Sequence, residues 1–133
     1  MFGWLSVIAL CAAIFVQSCF PPLNTGPSFP LKDKVFHMAA YGLLAVLFYR
    51  ACRLTWPDRI SPVLLLVYSV GFSTFYGLSD EFHQSFVAGR HADTMDAVAD
   101  LAGALLGALG YMMMTCQGGR SVFWKRTVTG GGR

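Results

Sequence analysis

The chain has 133 residues, 55% of them hydrophobic and 13% charged, with a formal net charge of +3 at neutral pH. An ordinary soluble domain carries about 25% charged residues; this composition excludes one, and a mean hydropathy of +0.53 agrees. The charge is weak and forms no long basic block, so no nucleic-acid partner is expected.

The charges gather in short bands and leave long apolar runs between them. The first run, Phe2 to Phe20, carries no charge. As a helix rising about 1.5 Å per residue it reaches roughly 28 Å, near the thickness of a bilayer core. A cleaved signal peptide would need a positively charged start, whereas the first charged side chain here is Lys32. The run is therefore read as a retained span of about residues 2–20. Pro21 and Pro22 cannot continue a helix, and a loop rich in Pro, Gly, Asn and Ser is expected up to Pro30.

The second helix is expected at about 33–53, with Arg50 and Arg53 snorkelling at its end. Trp56-Pro57-Asp58 reads as an interfacial turn. The third, at about 60–79, places Pro62 in its first turn, where the missing N–H costs nothing. Ser79 to Val87 reads as a helical extension or an interfacial segment. The fourth, at about 96–116, is interrupted only by Asp100. Residues 117–133 are Gly-rich and basic and are expected to be a flexible tail, with Phe123 and Trp124 resting at the interface. The fold class is all-α: a polytopic membrane protein, a bundle of about four transmembrane helices forming one domain over 1–116. Cys11, Cys19, Cys52 and Cys116 are isolated, so neither a disulfide framework nor a zinc site is expected.

Lys and Arg counts give an orientation. With four spans, the loop bearing Arg50, Arg53 and Arg59 shares a side with the tail bearing Arg120, Lys125, Arg126 and Arg133, against Lys32, Lys34 and Arg90 opposite. Seven against three places both termini in the cytoplasm.

The outward side then collects the polar residues. Asp33, His37 and Tyr41 form one stripe on helix two, at i, i+4 and i+8. The third loop delivers Asp80, Glu81, His83, Gln84, Arg90, Asp93 and Asp96. Asp96, Asp100, Gly103, Gly107 and Gly110 share a stripe on helix four, whose small residues let another backbone approach. Gly103 and Gly107 suit packing first, and a homo-oligomer as a possible second use. Ionisable groups at membrane depth usually face the bundle interior, pair with one another and mark functional sites. Asp100 lies one turn deeper than Asp96, with Arg90 and His37 as its expected partners. The plain readings are that Asp33 caps helix two, that His83 and His91 face interfacial water, and that Arg90 meets a head-group phosphate. The ligand types suit a metal, but no spacing motif such as His-Glu-x-x-His is present, so no metal site is assigned and no cofactor is named.

Three blocks carry a resemblance: Asp33-Lys34-x-x-His37-x-x-x-Tyr41; Asp80-Glu81-x-His83-Gln84-x-Phe86-x-x-Gly89-Arg90; and Asp96-x-x-x-Asp100-x-x-Gly103-x-x-x-Gly107. Together they cover roughly residues 31 to 110, and the chain resembles the VanZ-like family. The resemblance implies a multi-helix bacterial protein of the cytoplasmic membrane. It implies that Asp33, His37, Tyr41, Glu81, Gln84, Arg90, Asp96 and position 100 are the shared polar positions. It also implies a possible link to low-level resistance to the lipoglycopeptide teicoplanin. Many members carry Asn where this chain has Asp100, and Pro where it has Ala88.

Three functional readings follow. In the first, the cluster binds the head group of an envelope lipid or lipid-linked wall precursor, with Asp33, His37, Tyr41, Glu81, Gln84, Arg90, Asp96 and Asp100 as ligand residues and Arg90 on a phosphate. In the second, Glu81 and His37 transfer protons in an enzyme acting on a lipid-linked substrate, with or without a metal. In the third, the cluster only locks the helices of a structural subunit.

Overall fold

The computed structural model describes residues 2–20, 31–57, 59–90 and 93–129, with side chains from residue 3 up to residue 116 within those ranges. Four α-helices follow one another: α1 (Phe2–Ser18), α2 (Lys32–Thr55), α3 (Pro62–Gln84) and α4 (Thr94–Thr129). Among the described residues there is no strand. Pro21, Pro22 and the rest of 21–30, with Asp58, His91 and residues 130–133, lie outside the described residues; so do the side chains of Phe123 and Trp124.

Three helices are long and apolar enough to cross a membrane: α2, α3 and the Thr94–Cys116 part of α4. The expected first span is shorter. α1 has 17 residues, about 26 Å of helix, against a hydrocarbon core near 30 Å. The outer faces are apolar throughout: Phe75 is 72% exposed, Leu106 66% and Val63 64%. Lipid is the solvent that accepts such surface, since water-soluble monomers rarely expose large contiguous apolar patches.

Small residues set the packing. α2 and α4 touch at backbone distance: a Cβ on Gly42 would lie 2.9 Å from the Gly103 carbonyl oxygen, and one on Gly103 would collide with the Met38 carbonyl. A Cβ on Gly107 would meet the Gly42 carbonyl in the same way. Ala45, Ala104 and Ala108 fill the remaining gap and are fully buried. The Gly103/Gly107 stripe is therefore occupied by α2 of the same chain, and a second copy has no access to it at those positions. The sequence exposes the small-residue face but not the partner, which packing within the chain supplies.

α3 joins this pair through Ser73 Oγ, which donates to the Tyr41 carbonyl at 2.8 Å. α1 lies against α2 and α3. Val7 enters the core beside Tyr41 and Leu44, Trp4 Nε1 donates to Thr55 Oγ1 at 2.8 Å, and the Tyr76 hydroxyl donates to the Cys11 carbonyl at 2.7 Å.

The helix ends differ from the expected ones where charge had been taken as a boundary. α3 starts at Pro62 on the cap supplied by Ser61, whose side chain accepts from Leu64 N at 3.2 Å. It then runs through Asp80 and Glu81 to Gln84 instead of stopping at 79. Residues 117–129, expected as flexible tail, continue α4. Asp33 sits in the first turn of α2, where a carboxylate complements the positive helix end.

Candidate functional site

Four helix ends converge: the C-termini of α1 and α3 and the N-termini of α2 and α4. At their junction His37 stands one turn and a half into α2, half-buried, with carboxylates on three sides. Its Nδ1 lies 3.0 Å from Asp100 Oδ1 and 4.0 Å from Glu81 Oε1. Its Nε2 lies 4.0 Å from Asp96 Oδ2.

Asp100 is the deepest of these groups, with 1% of its side chain exposed. Space for it comes from α3. A Cβ on Gly77 would lie 2.5 Å from Asp100 Oδ2, so the glycine leaves the notch that the carboxylate fills. His37 holds one oxygen of Asp100; the other, Oδ2, has no hydrogen bond among the described residues. Glu81 is held in the same half-finished way. Its Oε2 accepts from the Asp93 backbone N–H at 3.0 Å, while its buried Oε1 has no hydrogen bond.

Lys34 closes the outer edge. Its Nζ is 2.7 Å from Asp93 Oδ2 and 2.8 Å from Asp96 Oδ1. The ammonium group holds the Asp93 carboxyl below the usual aspartate range, helped by the Met95 N–H that Asp93 also receives. The sequence stripe had placed Asp33 in this position. Asp33 is instead exposed and joins none of the ion pairs described; the inward face of α2 runs Lys34, His37, Tyr41, at i, i+3 and i+7.

Arg90 departs from expectation as well. It does not pair with Asp100. Its Nε donates to the Phe20 carbonyl at 2.8 Å, Nη2 to the Gln17 carbonyl at 2.9 Å and Nη1 to Gln84 Oε1 at 3.2 Å. Two of these acceptors are carbonyls at the C-terminal end of α1, where partial negative charge gathers; that of Gln17 also accepts from the Phe20 N–H at 3.2 Å. Arg90 thus fastens α1 to the connection between α3 and α4. Gln84 Nε2 in turn donates to Asp80 Oδ2 at 2.9 Å and reaches Ser18 Oγ at 3.4 Å.

Next to this network is a cavity of about 70 Å³ between α1, α2 and α3. Ile14, Phe36 and Ala40 make its apolar side; His37, Asp80 and Arg90 bring polar groups to it. Tyr41 lines it too, with a buried hydroxyl that makes no hydrogen bond of ordinary geometry.

Of the sequence-derived site residues, His37, Glu81, Asp96 and Asp100 therefore form one cluster, and Tyr41, Gln84 and Arg90 line the adjoining cavity, while Asp33 stands apart. Lys34, Asp80 and Asp93, expected in the outward polar band but not among the ligand residues, belong to the site, and so does Gly77, which had not been singled out. Lys34 sits three residues before His37, a spacing that shares a helix face as well as four does. His37, Glu81 and Asp96 each offer a ligand atom, all within 4.8 Å of one another.

Fold and site together define a small polytopic helical membrane protein with a buried polar cluster at one end of its bundle. Within that class the chain belongs to the VanZ/LLP1 family, whose family model matches residues 7–115. It is 33% identical over 103 residues to an uncharacterized protein of Schizosaccharomyces pombe, across 77% of this chain and 60% of that protein. The chain thus spans about three fifths of that relative's length, and the likeness extends beyond bacteria. No solved structure matches.

Proposed function

We propose that the chain binds the polar head group of a membrane lipid at the end of the bundle where the four helix termini meet. One observation carries this reading: the 70 Å³ cavity has one apolar wall and one polar wall. An amphiphile at the membrane boundary needs both. Tyr41 offers a buried hydroxyl that makes no hydrogen bond of ordinary geometry among the described residues. Arg90 uses one hydrogen on each guanidinium nitrogen, which leaves two of its five donors for a phosphate oxygen. Asp80 stands on the same cavity and suits an amine. Both signs at one site favour a zwitterionic head group, with a lipid-linked wall precursor as the bacterial alternative. In this reading α1 is the fourth crossing, both termini are cytoplasmic and the site faces outward. A link to lipoglycopeptide susceptibility would act through that lipid.

Native mass spectrometry of detergent-solubilised protein, offered phosphatidylethanolamine and phosphatidylglycerol together, tests the reading. Retention of phosphatidylethanolamine by wild type, reduced at least fivefold in Tyr41→Phe and Asp80→Asn, is expected. Equal retention by all three proteins, or none by wild type, would overturn it.

A second reading, proton transfer by His37 and Glu81, is favoured by the buried unbonded Glu81 Oε1 lying 4.0 Å from the imidazole. It requires turnover of a lipid-linked substrate with a bell-shaped pH dependence whose one limb disappears in Glu81→Gln.

A further inference from the structure

We infer that His37, Glu81 and Asp96 form a binding site for a divalent transition-metal cation. The inference does not rest on the head-group reading: His37 also lines the cavity, but Glu81 and Asp96 stand beside it.

The three side chains are each fixed by one atom and leave another free. His37 Nδ1 is taken by Asp100 Oδ1 at 3.0 Å, which puts the proton on Nδ1 and leaves the Nε2 lone pair available. Metal-bound histidines are commonly held in this way, by a carboxylate on the other ring nitrogen. Glu81 Oε2 is taken by the Asp93 N–H, and Oε1 is left. Asp96 Oδ1 is taken by Lys34, and Oδ2 is left, 4.0 Å from His37 Nε2. One ligand atom from each residue lies within 4.8 Å of the others. Around an ion with metal–ligand bonds of about 2.1 Å, tetrahedral ligand atoms are roughly 3.4 Å apart, so the side chains must turn inward to close the site, Glu81 most of all, because its Oε1 approaches the imidazole at Nδ1.

A second observation points to a ligand. Glu81 has only 9% of its side chain exposed, and its Oε1 has no hydrogen bond among the described residues. A buried carboxylate oxygen without a hydrogen bond is unfavourable unless it is protonated or meets a cation. The local charge also favours a cation. In the ion pairs described, Glu81, Asp93, Asp96 and Asp100 share Lys34 and His37, and Arg90 is bonded to Gln84 and to carbonyls of α1's end. One imidazole and two carboxylates suit Zn²⁺ or Mn²⁺ better than Ca²⁺ or Mg²⁺, which favour all-oxygen sites.

The test uses the full chain in detergent, freed of metal by chelator and titrated separately with ZnCl₂ and MnCl₂ by calorimetry. One equivalent binding with a Kd below about 10 μM is expected, weakened at least a hundredfold in Glu81→Gln and in Asp96→Asn. Circular dichroism and size-exclusion profiles establish that each variant is folded. Should both variants fail to fold, pulsed electron paramagnetic resonance on Mn²⁺-loaded wild type decides. A single ¹⁴N coupling from one imidazole is expected. Absence of saturable binding by wild type, unchanged affinity in a folded variant, or bound Mn²⁺ without nitrogen coupling would overturn the inference.

Discussion

His37 Nδ1 and Asp100 Oδ1, on different helices and 63 residues apart in sequence, lie 3.0 Å from each other inside the bundle. This contact ties α2 to α4 just above the level where their glycines let the two backbones touch. It keeps one oxygen of the deepest carboxylate partnered.

Removing the imidazole should be costly for that reason. His37→Ala leaves Asp100 buried with neither oxygen bonded, and breaking a buried pair typically costs about 3–5 kcal/mol. The thermal midpoint in detergent should fall by many degrees. Asp100→Asn keeps an acceptor for Nδ1–H and removes the buried charge, so its midpoint should stay within a few degrees of wild type or rise. A His37→Ala midpoint equal to that of Asp100→Asn would show that the contact does not stabilise the bundle.

The glycines make a contrasting pair. Gly103→Ala puts a methyl into the Met38 carbonyl and should destabilise by roughly 1–3 kcal/mol, the usual range for overpacking. A methyl on Gly110 would meet nothing within 4 Å, so Gly110→Ala should gain about 0.5–1 kcal/mol from helix propensity. Thermal or denaturant unfolding of the two variants side by side checks the sign of each.

Arg90→Lys should loosen α1 without dismantling the rest. A single ammonium cannot span the Gln17 and Phe20 carbonyls and Gln84 at once. Amide hydrogen exchange over residues 15–20 should quicken by about tenfold while α2 and the apolar part of α4 exchange at their original rates. Unchanged exchange at 15–20 would remove the fastening role.

Lys34 sets an acid limit. The native carboxyl of Asp93 is held below its unfolded value near 3.9. The resulting stability is fully present above that value and is lost as pH falls through the lower, native one. Wild-type thermal stability should therefore decline below about pH 4, and Lys34→Met should lose this part of the acid dependence. Melting curves between pH 3 and 7 measure it.

The helices were legible because uncharged apolar runs of bilayer length are the signature of membrane spans. The site was legible in part. Which helix ends would meet followed from alternating crossings, and His37, Glu81, Asp96 and Asp100 do meet. The rotation of α2 did not follow: a stripe from Asp33 and one from Lys34 share His37 and Tyr41, and sequence spacing weighs them alike. The partner of Arg90 was hidden for another reason. Its acceptors are mostly backbone carbonyls at Gln17 and Phe20, which every residue possesses and no side chain announces. The run of α3 to Gln84 was missed because charge marks where lipid ends, not where hydrogen-bonded turns end.

Gly77 and Asp100 behave as a single device. The missing side chain on one helix is the receptacle for the acid on another, so neither position can drift alone. A homologous chain with a methyl at 77 would have to carry a smaller group at 100 or spread α3 from α4. Where the acid is present, the depth of that receptacle sets how closely α3 and α4 can approach each other.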